Sequence, residues 1–170
     1  LAVDFNTGKK IWIKKLTNIA ELDVRDLSSI AIRGSKLYVG NRKTVEVLKL
    51  NSGDKIGEYT VPKVSGKFSS IIGDISFAAE SIVFARYDRQ VFSYSLNNFS
   101  DLRWSRRLDS EISSLVSEGG AIYAGTTRGT LYMMDVKSGK LIWQKSLGDA
   151  ISGTYVGLNE VYVHSTQGFI

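Results

Sequence analysis

Apolar and polar positions alternate along this chain in short runs, and polar turns break the runs at regular intervals. In one stretch ISSLVS (112–117) alternates, SEGG (117–120) turns, and AIYAG (121–125) follows. TTRG (126–129) turns again, TLYMMDV (130–136) follows, KSGK (137–140) turns and LIWQKSL (141–147) closes. Short β-branched and aromatic runs bounded by Gly, Asn, Ser and Lys clusters predict strands. The predicted local unit is thus four strands joined by tight turns. Only IAELDVRDL (19–27) reads as a turn of helix, and it lies in a connection between units. The single proline, Pro62, also falls between units, where it breaks no ladder.

The unit repeats. Aligned on a turn glycine, FNTGKKIW supplies Gly8, LNSGDKIG supplies Gly53 and VKSGKLIW supplies Gly139. A degenerate copy, LNNFSDLRW, puts Phe99 at the glycine position, and the steps become 45, 46 and 40 residues. A second phrase keeps the same period. KLYVG, SIVFA, AIYAG and EVYVH end at Gly40, Ala85, Gly125 and His164, which are 45, 40 and 39 residues apart. Two phrases with one shared period are a far stronger signal than either alone.

Four short strands in every ~40–45 residues is the period of a β-propeller blade. One four-stranded sheet cannot bury both of its faces, whereas sheets stacked around an axis cover one another. The predicted fold is therefore all-β, a propeller of four-stranded antiparallel blades forming a single domain over 1–170. Three units are expected at 28–61, 69–108 and 110–147. A fourth joins 149–170, giving inner strands A and B, to 1–16, giving outer strands C and D.

The motif resembles that of the quinoprotein-like, PQQ-repeat, tryptophan-docking β-propellers, whose architecture is similar to that of WD40 and YVTN-like repeats. The family pattern is Ala-x-Asp-x-x-Thr-Gly-x-x-x-Trp. AVDFNTGKKIW (2–12) matches every defined position, and MMDVKSGKLIW (133–143) departs only at Met133 and Ser138. VLKLNSGDKIG (47–57) keeps Ser52 and Gly53 but has Gly57 in place of the Trp. SYSLNNFSDLRW (93–104) keeps Trp104 one residue late and loses the Gly.

The resemblance implies that each Trp stacks from its outer strand onto the Gly peptide of the following blade, where a Cβ would block close approach. On this chain it pairs Trp12 with Gly53, Trp104 with Gly139, and Trp143 with Gly8. The missing Trp at Gly57 then faces the missing Gly at Phe99. Phe99, or Tyr59 two residues along from Gly57, is expected to fill the space of the absent indole. The Trp143–Gly8 pair needs the two chain ends to meet, and STQGFI followed by LAVDFNTGKKIW does read as one repeat in frame. Three arrangements are open: closure of one chain as four blades, two chains joined head to tail, or a segment of a longer propeller.

Composition narrows the chemistry. The chain has no Cys, which excludes disulfides, thiolate chemistry and the vicinal Cys pair that quinoprotein dehydrogenases of the superfamily use. A single His, His164, argues against a zinc site or a His-based triad. The acidic residues lie scattered in turns, without the spacing of a calcium site. No catalytic residue, metal or cofactor is therefore expected. The net charge of +5 permits an acidic partner. The turns NRKT (41–44), RYDRQ (86–90) and TTRGT (126–130) hold equivalent positions between strands B and C. Their Arg42, Arg86, Arg89 and Arg128 are expected on one face of the ring as a candidate interaction surface, with His164 lining a blade-end groove. RWSRR (103–107) and KKIWIKK (9–15) interleave basic and aromatic residues, a pattern that also suits an edge strand protected by charge.

These features point to a non-catalytic scaffold that binds a protein partner through loops and faces. The resemblance places it in an extracytoplasmic or cell-surface setting, alongside relatives such as the propeller lipoprotein that assists bacterial outer-membrane assembly. The alternatives are a ligand-binding or quinone-dependent oxidoreductase-type propeller, and binding of an acidic or nucleic-acid partner by the basic loops. Nucleic acid is the least favoured.

Overall fold

The computed structural model describes residues 1–15, 29–41, 43–62 and 70–168. The sequence expectation of a helical turn at 19–27 falls outside the described residues. Among those described there are sixteen strands and no helix. Three complete sheets follow one another, each a meander of consecutive antiparallel strands. The first comprises β3 (Ile30–Arg33), β4 (Lys36–Gly40), β5 (Thr44–Lys49) and β6 (Lys55–Thr60). The second comprises β7 (Ile71–Ala78), β8 (Ser81–Arg86), β9 (Gln90–Ser95) and β10 (Leu102–Arg107). The third comprises β11 (Ile112–Glu118), β12 (Ala121–Thr126), β13 (Thr130–Asp135) and β14 (Leu141–Ser146). A two-stranded sheet stands at either end: β1 (Ala2–Val3) with β2 (Lys10–Trp12), and β15 (Ile151–Val156) with β16 (Val161–Ser165). This is a β-propeller architecture of stacked blades.

The strand period of two explains the packing. β8 is buried along its whole length. Its Ile82 and Phe84 face the first sheet and join Tyr38, Val45, Val47 and Tyr59. Its Val83 and Ala85 face the third sheet and join Leu115, Ile122, Ala124 and Met134. A strand covered on both sides reads as a continuous apolar run, as SIVFA does. The outermost strand of the third sheet, β14, is exposed throughout.

The inner strands β3, β7, β11 and β15 pack in succession, and hydroxyl groups link them. Ser29 Oγ accepts from the Ile75 amide at 2.9 Å. Ser76 and Ser117 share a hydrogen bond of 2.6 Å, and Ser114 and Thr154 one of 2.7 Å. Gly125, near the end of β12, lacks a Cβ where Ile151 of the following inner strand and Ser114 fill the space that carbon would take.

The two end sheets remain separate, and among the described residues no ladder joins β16 to β1. The expected completion of one blade by both ends of the same chain is thus not what the structure shows. β1–β2 is packed on the first sheet through Trp12, and β15–β16 is packed on the third through Ser114 and Ile151.

Candidate functional site: blade junctions and the loop face

The junctions are built by the turn before each outer strand. In the first, Asp4 Oδ1 accepts from the amides of Asn6 at 3.1 Å and Thr7 at 2.7 Å, and from Thr7 Oγ1 at 2.6 Å. Asp135 Oδ1 does the same for the Ser138 amide and hydroxyl, at 2.8 and 2.6 Å. These bonds to the ionised form, led by the Thr7 and Ser138 hydroxyls, hold both carboxyls below the usual carboxylate range. They also explain why the motif spaces Asp three residues from Ser or Thr. The next residue must reach back to the Asp carbonyl, and Gly8 and Gly139 do so with φ of 67° and 66°. That left-handed backbone favours glycine.

The structure places Trp12 over Gly53: a Cβ there would stand 2.7 Å from the indole. Trp12 Nε1 donates to the Leu50 carbonyl at 3.0 Å. Trp104 lies over Gly139 in the same way, at 2.6 Å, and donates to the Val136 carbonyl at 2.9 Å. In both cases the acceptor is the third residue before the glycine. Arg106, beside Trp104, donates to the Gly139 carbonyl at 3.2 Å, and Arg103 donates to Ser81 Oγ at 2.8 Å. Of the basic residues of RWSRR, Arg106 is thus engaged across the junction and Arg103 within its own sheet.

The junction between the first and second sheets has neither partner of the motif. Here the ring of Phe99 covers Gly57, filling the space a Cβ would take, and Tyr59 meets Phe99 edge-on at 5.1 Å. Tyr59 is fully buried, and burial pushes its phenol well above the usual value. The ring of Phe99 thus approaches from the opposite side to the indoles elsewhere. This yields a swap experiment. Gly57→Trp alone and Phe99→Gly alone are each expected to destabilise the chain. The double variant is expected to recover about 1–3 kcal/mol relative to additivity. A double-mutant cycle by urea melting reads this directly, and strict additivity would refute the steric complementarity of the pair.

Trp143 and Gly8 are not brought together. Trp143 is 37% exposed and leans on Tyr123 with ring centres 6.3 Å apart. Among the described residues, nothing beyond its own chain neighbours lies within 4 Å of the Cβ position of Gly8. This corrects the pairing expected within one chain, and the cause is the separation of the two end sheets.

The loop face also requires a correction. Arg86 is not a surface residue: it is 1% exposed. Its guanidinium donates to both carboxylate oxygens of Asp88 at 2.8 and 2.7 Å, to the Pro62 carbonyl at 2.8 Å and to Gln90 Oε1 at 3.2 Å. It also lies 5.0 Å from the centre of the Phe92 ring. The last residue of the second strand anchors the following turn in the third sheet too, where the Thr126 hydroxyl accepts from the Thr130 amide at 3.1 Å. Arginine does this job here with a bidentate clamp.

Arg42 lies outside the described residues. Arg89 and Arg128 are brought together, in a groove of about 270 Å³ with Asp109, Ser110, Glu111 and Thr127. Arg89 has φ of 73° where the equivalent turn has Gly129 at 78°. A left-handed conformation costs a non-glycine residue about 1–2 kcal/mol, and here the side chain reaches across the junction to the Asp109 carbonyl at 3.0 Å. Asp109 and Glu111 were missed from sequence. They belong to LDSE (108–111), just before an inner strand, and the signal was their position opposite the basic turns.

His164 lies on the open face of β15–β16, in a shallow groove with Ser152, Tyr155 and Tyr162. Its Nδ1 is 2.6 Å from Ser152 Oγ, which also donates to the His164 carbonyl at 3.0 Å. With its proton given to a backbone carbonyl in its own sheet, the hydroxyl is held as a structural group.

A family model described as outer membrane protein assembly factor BamB matches residues 1–167. The outer membrane protein assembly factor BamB of Yersinia pestis is 25% identical over 173 residues, covering 94% of this chain and 42% of that protein. The chain therefore spans less than half the length of the curated relative it matches. Among solved structures, BamB from Moraxella catarrhalis is similar with a TM-score of 0.60 and 14% identity, over 98% of this chain and 63% of that one. The computationally designed Ika4 protein is similar with a TM-score of 0.70 and 17% identity, over 82% and 84%. These structural likenesses bear on the fold alone. The repeat motif, the stacked meanders and the family match over nearly the whole chain agree: this chain belongs to the PQQ-repeat propeller family described as outer membrane protein assembly factor BamB.

Proposed function

We propose that this chain is a non-catalytic scaffold that holds a protein partner against the loop face, in an extracytoplasmic assembly concerned with outer-membrane proteins. The family match over residues 1–167 carries this reading. The loop groove supports it, because Arg89 and Arg128 are matched there by Asp109 and Glu111. Mixed charge in a half-open groove suits a folded protein surface with its own paired charges. A polyanion would instead call for an uninterrupted basic stripe.

The test is site-specific photocrosslinking in a bacterial envelope preparation. A photoreactive residue replacing Thr127 is expected to give a discrete adduct that Arg128→Glu abolishes. Adducts formed equally from Lys145, on the exposed outer strand, would overturn the assignment of the face. In parallel, pyrroloquinoline quinone with calcium is expected to leave the melting temperature unchanged. A rise would overturn the non-catalytic reading.

A further inference from the structure

One row of the first sheet departs from the repeat in a way that the fold does not require. Arg33 of β3, Lys36 of β4 and Lys49 of β5 stand directly opposite one another across the strands. The corresponding rows are Ala78, Ser81 and Ser95 in the second sheet, and Glu118, Ala121 and Asp135 in the third. Like charges directly opposite one another destabilise a sheet, and here three cations stand abreast. Lys49 also occupies the position from which Asp4 and Asp135 cap the turn before the outer strand. The turn keeps its backbone bond, from the Gly53 amide to the Lys49 carbonyl at 2.9 Å. Its cap is lost, and the Ser52 hydroxyl donates instead to Asp54 at 2.7 Å. The sheet thus gives up stability in both respects to hold this charge.

The row borders a groove. Arg33, Lys36 and Lys49 share their side of the sheet with Ala31, Tyr38 and Val47, which pack towards the second sheet. Between these two sheets lies a groove of about 440 Å³. It is at the strand ends opposite the loop groove: β8 begins here at Ser81 and ends there at Arg86. Arg33, Lys36 and Tyr38 form one wall, and Ala79, Leu96 and Asn97 the other. Arg33 is held in place, because its Nη2 donates to the Ala79 carbonyl at 2.8 Å and its guanidinium lies 5.5 Å from the centre of the Phe77 ring. The positive charge is poorly matched. Among the described residues Lys36 has no carboxylate partner, and Lys49 meets only Asp54, at 3.9 Å with both side chains more than half exposed. Glu80, at the edge of the groove, is engaged by Arg103 at 3.7 Å. Both walls belong to complete four-stranded sheets.

We propose that this groove binds an extended acidic segment of a protein partner. Its carboxylates lie on Arg33, Lys36 and Lys49, and an apolar side chain beside them lies against Ala79 and Leu96. Neighbouring strands are about 4.8 Å apart, so the row spans about 10 Å. Carboxylates on alternate residues of an extended chain are about 7 Å apart, and both fall within that span. The layout disfavours a single small anion. A phosphate needs donors that converge on one point, whereas donors on successive strands form a line. The site is separate from the loop groove and does not rest on the partner assigned there.

Fluorescence anisotropy with labelled hexaglutamate at low ionic strength reads the site. The parent chain is expected to bind saturably, and more weakly as salt rises. Lys36→Glu/Lys49→Glu is expected to weaken binding by about tenfold or more. Lys140→Glu/Lys145→Glu makes the same change in net charge at the exposed β14. It is expected to weaken binding by less than about twofold, because distant exposed charges are screened. Lys49→Asp separates binding from folding. It restores the capping carboxylate, so the melting temperature is expected to rise by about 2–4 °C while affinity falls about tenfold. Inorganic phosphate at matched ionic strength is expected not to displace the peptide. A parent chain that does not bind hexaglutamate overturns the proposal. So do equal losses from the two charge-reversal pairs, full affinity in Lys49→Asp, or displacement by phosphate.

Discussion

Replacing Arg86 with Leu is expected to lower the unfolding free energy by about 3–5 kcal/mol, the usual cost of breaking a buried ion pair from one side. Arg86 is sealed between the first and second sheets, and the Asp88 side chain is only 14% exposed. Removal of the guanidinium leaves that carboxylate and the Pro62 carbonyl without their donors. Lysine is not expected to rescue it, because a point charge cannot make the two parallel bonds to Asp88. The double variant Arg86→Leu/Asp88→Leu is expected to recover much of the loss, since no charge is then stranded. Urea melts of the four chains measure all of this. A loss below about 1 kcal/mol for the single variant would show that the clamp is solvated in practice.

The second large effect is at the Trp104 dock. Trp104→Ala is expected to cost about 3 kcal/mol, the lower end for a large aromatic side chain, because the ring is only partly buried. Trp104→Phe is expected to cost less, losing mainly the bond to the Val136 carbonyl. Gly139→Ala should also destabilise, by about 1–2 kcal/mol for the left-handed backbone, with a further cost because its Cβ would stand 2.6 Å from the indole. The two substitutions are predicted to be sub-additive. Once the indole is gone the methyl meets nothing, and only the backbone cost remains. Full additivity in the double-mutant cycle would mean that the ring and the peptide do not constrain one another.

The spacing of Trp and Gly in the sequence was enough to locate the junctions, because a motif repeated at blade period carries its neighbour with it. Trp12 and Gly53 are 41 residues apart, yet both are defined by the same turn in successive units. Even the defective junction could be read, since Gly57 and Phe99 are irregular at corresponding points. Arg86 could not be read in this way. The residue that anchors its turn is Arg in one sheet and Thr in the next, so a role that is constant in space appears as variation along the chain. Whether an Arg there reaches solvent depends on Asp88 and on the Pro62 carbonyl from the preceding connection. No spacing in the repeat encodes that contact. The mixed charge of the loop groove was hidden for a related reason: Arg128 and Glu111 come from different turns, and only the stacking of the strands makes them neighbours.

Each complete sheet is a meander of consecutive strands, and each sheet packs on those next to it in sequence. Every blade can therefore form as soon as its own stretch of chain emerges from the ribosome, onto a neighbour already in place. Few distant segments have to find one another, so the search is short for an all-β chain. It also follows that a chain interrupted partway through synthesis would still present ordered sheets, each truncated product ending in an open apolar face.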